Sequence, residues 1–190
     1  MGQIMQAGQA SRTLVQAWLP ERSATRDLGL IVAFSLFTGL MAHIAIPLPF
    51  TPVPITGQTF AVLLTGALLG SRLGAAAMLA YLAEGFAGLP VFAPTGGGIV
   101  TYGYLAGFVL AAFAVGWLAE RGWDRNVLRA AAAMVVGEVA IYLCGLAWLA
   151  RFVPPGKLLL FGLIPFLPGD AIKLVAAALA LPAGRRLAGK

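Results

Sequence analysis

Residues 26–49 read RDLGLIVAFSLFTGLMAHIAIPLP, and this stretch decides the class of fold. After one charged pair, residues 28–46 contain a single titratable side chain, His43. A helix of about 20 consecutive apolar residues crosses the hydrocarbon core of a bilayer. Two prolines follow, and proline stops a helix because it lacks a backbone N–H. The stretch therefore predicts a membrane-spanning helix over about 28–46.

The composition of the whole chain excludes an ordinary soluble fold. Of the 190 residues, 60% are hydrophobic and 11% are charged, whereas roughly 25% are charged in soluble domains. The mean hydropathy is +0.90, so lipid must surround most of the surface. The net charge of +6 does not indicate nucleic acid as a partner, because the basic residues lie in small groups between apolar runs. The chain has one cysteine, Cys144, which excludes an intramolecular disulfide.

Five more apolar segments follow the first one. We predict an all-α membrane protein with six transmembrane helices, in which residues 26–190 form the membrane domain. The last span is broken by Pro165, Pro168 and Gly169. The predicted spans are about 28–46, 56–69, 73–86, 102–119, 127–152 and 158–181.

Residues 1–25 form a separate cytoplasmic or interfacial segment. They are too polar to span a bilayer, and they lack the continuous apolar run of a secretory signal peptide. Two interpretations stay open, a disordered tail and a helix that lies at the membrane interface. In the second interpretation, one side of the helix consists of Ile4, Leu14, Val15, Trp18 and Leu19.

The basic residues of the loops fall mostly on one side of this arrangement. Basic residues in short loops are retained in the cytoplasm, so the more basic side indicates the cytoplasmic face. The opposite side carries only Arg151 and Lys157, and Lys173 lies within the last span. The pattern predicts that both termini are cytoplasmic. The basic residues of the amino-terminal side are Arg12, Arg22, Arg26, Arg72, Arg121, Arg125, Arg129, Arg185, Arg186 and Lys190.

The two loops before the second and fourth spans contain no basic residue. Residues 47–58 read PLPFTPVPITGQ, and residues 88–98 read GLPVFAPTGGG. Proline stiffens the first loop, and glycine permits backbone conformations in the second loop that other residues disfavour. One interpretation is a lid over a cavity on the outer side. The other is a pair of connections that only seal the helices together.

Several titratable side chains lie in or near the apolar spans, where an unpaired charge costs several kcal/mol. His43 and Glu84 lie at the outer ends of spans, and each has a structural alternative as a hydrogen-bonded interface residue or a loop cap. Glu138 precedes Tyr142 by one helical turn, so the two share a face and either brace the helices or face a ligand. The full set of candidates is His43, Glu84, Glu138, Asp170 and Lys173.

The segment 168–173, PGDAIK, brings an acceptor and a cation together. We expect Pro168 and Gly169 to break the helix and Asp170 to cap the next helical piece. Lys173 follows three residues later and shares the face of Asp170. One interpretation is a self-contained ion pair. The other is a ligand-binding pair beside a cavity, because transporter sites often use broken helices.

Motifs of several catalytic classes are absent from the sequence. A Walker A loop requires Gly-Lys followed by Ser or Thr, and neither Gly156-Lys157 nor Gly189-Lys190 is followed by either residue. No Gly-x-Ser-x-Gly nucleophile motif occurs, and a single histidine cannot form a His-x-x-x-His metal site. We therefore predict no catalytic residue, no metal ion and no cofactor.

Four motifs together resemble the BioY family, whose members are biotin-specific substrate-binding (S) components of energy-coupling factor (ECF) transporters. The motifs are VPITGQTF at 53–60, GLPVFA at 88–93, GYLAGF at 103–108 and PGDAIK at 168–173. The resemblance covers roughly 28–187, with the motifs in the same order. It implies a six-helix protein of the bacterial cytoplasmic membrane with cytoplasmic termini. It also implies a biotin site near the outer face and a transport function rather than an enzymatic one.

The resemblance implies roles for particular residues in biotin binding. Asp170 would accept hydrogen bonds from the ureido N–H groups, and Lys173 would donate to the ureido carbonyl or balance a carboxylate. Other candidates supply amide or hydroxyl contacts, ring surface or, at the glycines, room for the second loop to close. The substrate-binding candidates are Asp170, Lys173, Gln58, Tyr104, Gly97, Gly98, Glu84 and Tyr142.

The resemblance also implies protein partners. Family members typically work with a transmembrane coupling (T) component and two cytoplasmic ATPases, which agrees with the missing Walker A loop. Gly29 and Ala33 form a small-x-x-x-small pair on the first span that lets a partner helix approach closely, and internal packing is the alternative. Two other functions remain as alternatives, a solitary biotin carrier without the ATPases and a small intramembrane enzyme.

Overall fold

The computed structural model describes residues 13–19, 21–95 and 97–188, and most of these residues are helical. The predicted helical class is confirmed. Two strands of two residues each, β1 (Ala45–Ile46) and β2 (Ile55–Thr56), flank the first outer loop. The helices are α1 (Leu14–Trp18), α2 (Ala24–Ala42), α3 (Gln58–Leu69), α4 (Ser71–Phe86), α5 (Tyr102–Ala119), α6 (Val127–Leu149), α7 (Leu158–Gly162) and α8 (Leu167–Ala188). Short 3₁₀ turns precede α5, α6 and α7 at Gly98–Thr101, Trp123–Arg125 and Pro155–Lys157.

Four segments of the described chain are long and apolar enough to cross a membrane. They are Ala24–Ala42, Gly98–Ala119, Val127–Leu149 and Pro155–Arg186. The helix α3 is apolar but has only 12 residues, and α4 has 16. At about 1.5 Å per residue, α3 is about 18 Å long, shorter than the hydrocarbon core of roughly 30 Å. Each predicted span corresponds to one helix or to the α7–α8 pair, while the number of membrane crossings stays a prediction.

The helix α5 lies at the centre of the bundle, where it packs against α3, α4 and α6. Glycines make the close crossings possible. A Cβ atom on Gly66 of α3 would meet the backbone of Ala112, and one on Gly107 would lie 2.9 Å from the Cα atom of Ile141. Small residues allow such backbone approach between membrane helices. The side chains buried around α5 include Val62, Leu63, Met78, Phe108, Val115 and Met134.

The solvent-exposed faces of the helices, around the circumference of the bundle, are apolar. Leu40 on α2, Leu143 on α6 and Ile172 on α8 are 67%, 66% and 72% exposed. Soluble monomers rarely expose apolar patches of this extent. The exposed faces of these helices therefore agree with lipid as the surrounding medium.

Hydrogen bonds attach both outer loops to the helices. The strands β1 and β2 pair in antiparallel register and close the base of the first loop. Within this loop, the Thr51 hydroxyl donates to the Phe161 carbonyl at 2.6 Å. Near the second loop, the Trp148 indole donates to the Ile99 carbonyl at 2.7 Å. The outer loops are thus fixed to α6 and α7.

The break in the last predicted span lies earlier than we expected. Residues 163–166 form turns, and α8 begins at Leu167. Pro168 therefore lies in the first helical turn, where its missing N–H has no intrahelical acceptor to lose. The backbone N–H of Asp170 donates to the Phe166 carbonyl at 2.9 Å. Asp170 is therefore inside the first turn, and the prediction that it caps the helix is wrong.

The amino-terminal residues that the structure describes do not share one environment. Leu14 is buried and packs near Gly184 of α8, whereas Trp18 is 59% exposed. Leu14 and Trp18 are one turn apart on α1 and therefore lie on one side of it, and the interfacial position of this segment stays a prediction. Ile4, together with the basic residues Arg12 and Lys190, lies outside the described residues.

An ion pair connects the carboxyl end of α8 to the turn between α5 and α6. Arg185 Nη2 lies 2.6 Å from Asp124 Oδ2, and Asp124 is 1% exposed. Burial raises the pKa of Asp124, although the guanidinium of Arg185 acts in the opposite direction. The sequence indicates Arg185 only as a cytoplasmic charge and does not predict this contact.

Candidate ligand-binding site

A cavity lies between the two outer loops and the helices α3, α5, α6 and α8. Its apolar wall includes Val53, Leu105, Phe108, Ile141 and Phe166. Small-molecule sites are typically apolar with a few well-placed polar groups, and this cavity has that character. The polar side chains that line it are Thr56, Gln58, Thr59, Thr101, Tyr102, Tyr104, Tyr142, Asp170 and Lys173.

Asp170 and Lys173 form an ion pair at the cavity wall. Lys173 Nζ lies 2.9 Å from Asp170 Oδ1, one helical turn away. The ammonium also donates to the Thr56 carbonyl at 2.7 Å and to the Thr59 hydroxyl at 3.0 Å. A buried ion pair is stable only when further hydrogen bonds satisfy both partners. This network supplies them and holds both charges against the cavity.

Two tyrosines complete this side of the cavity. The Tyr142 hydroxyl donates to Asp170 Oδ2, so both carboxylate oxygens have partners. The Tyr104 hydroxyl donates to the Gly162 carbonyl at 2.8 Å. The two rings meet edge to face with centroids 6.4 Å apart. Tyr104 therefore presents mainly ring surface to a ligand, because its hydroxyl proton is engaged elsewhere.

The amide of Gln58, at the start of α3, is held from two sides. Its Nε2 donates to the Tyr81 hydroxyl at 2.6 Å, and its Oε1 accepts from the Thr56 hydroxyl at 2.9 Å. The Tyr81 hydroxyl in turn donates to the Val91 carbonyl at 3.2 Å. Gln58 therefore connects the cavity wall to the second outer loop, a link that the sequence did not indicate.

The predicted site residues are placed unequally around the cavity. Gly98 lines it, whereas Gly97 lies beside it in the second loop. Both glycines have positive φ, +49° and +84°, which favours glycine at the sharp turn into α5. Glu84 lies outside the cavity wall, because its Oε1 accepts from the Ser35 hydroxyl at 2.7 Å where α4 packs on α2. The predicted residues that line the cavity are Gln58, Gly98, Tyr104, Tyr142, Asp170 and Lys173.

Glu138 and Tyr142 share a face of α6, but they do not form a hydrogen bond with each other. Tyr142 binds Asp170 instead, because α8 brings that carboxylate against α6. Glu138 is buried, and neither of its carboxyl oxygens has a hydrogen-bond partner in the described part of the chain. His43 Nδ1 lies 2.9 Å from the Gly39 carbonyl of its own helix, as in the structural alternative.

Sequence reasoning missed Thr59, which binds both members of the ion pair. Its neighbour Gln58 was selected from the same motif. A threonine in a membrane helix ordinarily donates to the carbonyl four residues earlier, as Thr65 does. The sequence feature that could have identified Thr59 as a site residue is its position beside Gln58 at the start of α3, directly after the first outer loop.

The candidate partner-binding residues lie away from the cavity. Gly29 and Ala33 are both exposed on α2. A Cβ atom on Gly29 would have no neighbour within 4 Å. The alternative of internal packing is therefore not observed for Gly29 within the described chain, and this small-residue face is open to another helix.

The charged side chains at the cavity wall can bind a ligand. Across 13–19, 21–95 and 97–188, no group of three or more His, Cys, Asp or Glu could hold a metal ion. The carboxylate of Asp170 is an acceptor, and the ammonium of Lys173 is a donor. A ligand that carries both N–H donors and a carbonyl acceptor can engage both groups.

Comparisons with known sequences find relatives along most of this chain. The model of the BioY family matches residues 11–190. A biotin transporter BioY from Rhizobium etli is 39% identical over 172 residues, covering 82% of this chain and 91% of the relative. A probable biotin transporter BioY from Pyrococcus horikoshii is 36% identical over 157 residues, covering 80% and 91%. A biotin transporter BioY from Thermotoga maritima is 39% identical over 156 residues, covering 78% and 91%.

The fold is also similar to a solved one. A crystal structure of the S-component for biotin from an ECF-type ABC transporter matches with a TM-score of 0.75 and 24% sequence identity. The match covers 87% of this chain and 95% of that one. The mostly helical bundle is therefore an S-component fold. Because the family model extends over nearly the whole sequence, this chain belongs to the BioY family.

Proposed function

We propose that this chain binds biotin in the cavity and takes it up as the S component of an ECF-type transporter. The BioY relatives are named biotin transporters, and the chain shares their family. The observation that carries the binding role is the Asp170–Lys173 ion pair at the wall of a largely apolar cavity. A substrate-binding component needs such a cavity and no catalytic group.

The chemistry of biotin fits this cavity. The ureido ring carries two N–H donors and one carbonyl acceptor, which Asp170 and Lys173 complement. The thiophane ring and the valerate chain are mostly apolar, and they fit against side chains such as Phe108 and Ile141. The ring of Tyr104 adds a flat contact surface.

We further propose six membrane crossings with both termini in the cytoplasm of a bacterial cell. The support comes from the loop charges, since ten of the thirteen basic residues fall on the amino-terminal side. The short helix α3 follows directly after the outer loop 47–57, which a hydrogen bond from Thr51 attaches to α7. In this proposal, residues 26–190 form the membrane domain, and residues 1–25 form a short cytoplasmic or interfacial segment.

The protein partners in this proposal are a T component and two ATPases. The exposed pair Gly29 and Ala33 supports a helix-binding face, and the missing Walker A loop agrees with ATP hydrolysis by another subunit. Co-purification of these partners would support the complex. Biotin uptake by cells that lack them would instead support a solitary carrier.

The direct test is equilibrium binding of biotin to the purified chain in detergent. We expect tight binding to the wild type and no binding of an analogue that lacks the ureido ring. We expect Asp170→Asn and Lys173→Ala to weaken binding by about tenfold or more, because each removes a charged group that complements the ureido ring. Lys157→Ala is the matched control, since this exposed lysine lies outside the cavity wall.

Size-exclusion chromatography and thermal unfolding must show that each variant is folded. Wild-type affinity in both folded cavity variants would remove the proposed site. Absence of biotin binding by the folded wild type would remove the proposed function.

A further inference from the structure

Glu138 is a buried carboxyl group that the proposed binding mode does not use. It lies on α6, one turn before Tyr142, and is 7% exposed. Neither Oε1 nor Oε2 has a hydrogen-bond partner among the described residues. Its neighbours one turn away on the same helix, Met134 and Ile141, are buried and apolar. A carboxylate in such surroundings carries a large desolvation cost unless a proton neutralises it.

The charges that face Glu138 do not favour its ionised form. Asp170 and Lys173 of α8 both act on it electrostatically, but they form an ion pair with each other. In the described part of the chain, the other titratable side chains at the cavity wall beside α6 are the phenols of Tyr104, Tyr142 and Tyr102, which are ordinarily neutral at pH 7. The helices α3 and α7 contain no titratable side chain. An ionised Glu138 would therefore give the cluster a net charge of −1, whereas a protonated Glu138 leaves it neutral.

We propose that Glu138 is a proton-binding site linked to the cavity, so that its protonated form favours, and its ionisation opposes, the binding of an anionic ligand. The inference rests on the proposed function, because biotin carries a carboxylate. Binding adds one negative charge to the cavity that Asp170 and Lys173 line, in a medium of low dielectric constant. The bound ligand and the proton on Glu138 therefore stabilise each other, and this coupling is reciprocal.

The test measures affinity as a function of pH in the purified full-length chain. We expect the affinity of the wild type for biotin to fall by up to about tenfold per pH unit once Glu138 loses its proton, because one proton is linked to one ligand. Glu138→Gln keeps the size of the side chain but cannot ionise, so its affinity should not depend on pH in this way. The uncharged biotinamide should show a smaller dependence on pH in the wild type.

Glu84→Gln is the matched control. Glu84 is a second carboxyl group with one buried oxygen, Oε2, that has no hydrogen-bond partner among the described residues, and it lies outside the cavity wall. This variant should keep the pH dependence of the wild type. Equal pH dependence in the wild type and in Glu138→Gln would overturn the proposal, as would a wild-type affinity that does not depend on pH.

Two further measurements keep the outcome decisive. If Glu138→Gln fails to fold, calorimetry of the wild type in buffers of different ionisation enthalpy must show proton uptake with biotin at alkaline pH, and its absence overturns the linkage. If no biotin binds at any pH, this result contradicts the proposed function but not the inference that Glu138 holds a proton. Infrared spectroscopy then still reports on Glu138, because the carbonyl band of a protonated carboxyl should disappear at alkaline pH. A band absent at neutral pH would show that Glu138 is ionised and would overturn the inference.

Discussion

Asp170 accepts hydrogen bonds from three side chains. A ligand that binds to Asp170 must compete with these three donors. Lys173 and Thr59 donate to Oδ1, and Tyr142 donates to Oδ2. The N–H groups of a ligand compete with these donors, so the net free energy of each new hydrogen bond is small. The main contribution of the cluster is therefore preorganisation, because the carboxylate is already held at the cavity wall.

At this scale, the hydroxyl of Thr59 is the most informative single group to remove. We expect Thr59→Val to weaken biotin binding about fivefold, the equivalent of about 1 kcal/mol for one hydrogen-bonding group. The reason is that the hydroxyl both donates to Asp170 and accepts from Lys173. Titration of biotin into the purified variant measures the effect.

Thr65→Val is the control for this change, because the Thr65 hydroxyl on the same helix donates only to the Ala61 carbonyl. It should leave the affinity unchanged. Equal loss of affinity in both variants would mean that the threonines act through the stability of α3 rather than through the ion pair.

The residues of the site were predictable from sequence to the extent that they interact within one helix. Asp170 and Lys173 are three residues apart, so helical geometry alone places them on one face. Contacts between helices were not predictable in this way. Tyr142 and Asp170 are separated by 28 positions and Thr59 and Asp170 by 111, and only the packing of α3, α6 and α8 brings them together.

At the scale of elements, helix positions follow from hydropathy because lipid requires long apolar segments with internally bonded backbones. The start of α6 agrees with the prediction, since the Asn126 side chain accepts from the backbone N–H groups of Leu128 and Arg129. The start of α8 was mispredicted. Pro168 and Gly169 are compatible with a first helical turn as well as with a break, and sequence alone does not distinguish the two.

Two glycines in similar helical settings should respond oppositely to alanine. Gly66→Ala places a Cβ atom against the backbone of Ala112, so we expect it to lower the free energy of unfolding by about 1–3 kcal/mol. Gly29→Ala adds a methyl group to an open, exposed position and should raise stability by up to about 1 kcal/mol, because alanine favours helix.

Thermal unfolding of the two purified variants in the same detergent measures both effects. An unchanged melting temperature in Gly66→Ala would mean that the α3–α5 crossing relaxes without cost. The close approach seen at this crossing would then be unnecessary for the stability of the bundle.

At the scale of the whole molecule, the two ends differ in chemistry. One end carries outer loops without basic residues before α3 and α5, and these loops line the cavity. The other end carries most of the arginines, including the buried pair of Arg185 with Asp124. This polarity agrees with the proposed function, in which the ligand binds at one surface and the cytoplasmic partners bind at the other.

The last prediction separates ligand binding from assembly. Ala33→Leu enlarges an exposed small residue on α2, so it should obstruct a partner helix that needs close approach. We expect the variant to bind biotin as tightly as the wild type, because residue 33 is not part of the cavity wall. Purified from membranes in which all subunits are produced, the variant should carry much less T component and ATPase with it.

The control is Ala132→Leu, at an exposed position on α6, which should co-purify with the same partners at the wild-type level. If Ala33→Leu retains its partners, the interface lies elsewhere. If it loses them but still supports uptake in cells, transport proceeds without the ATPases, and the solitary-carrier alternative replaces the proposed complex.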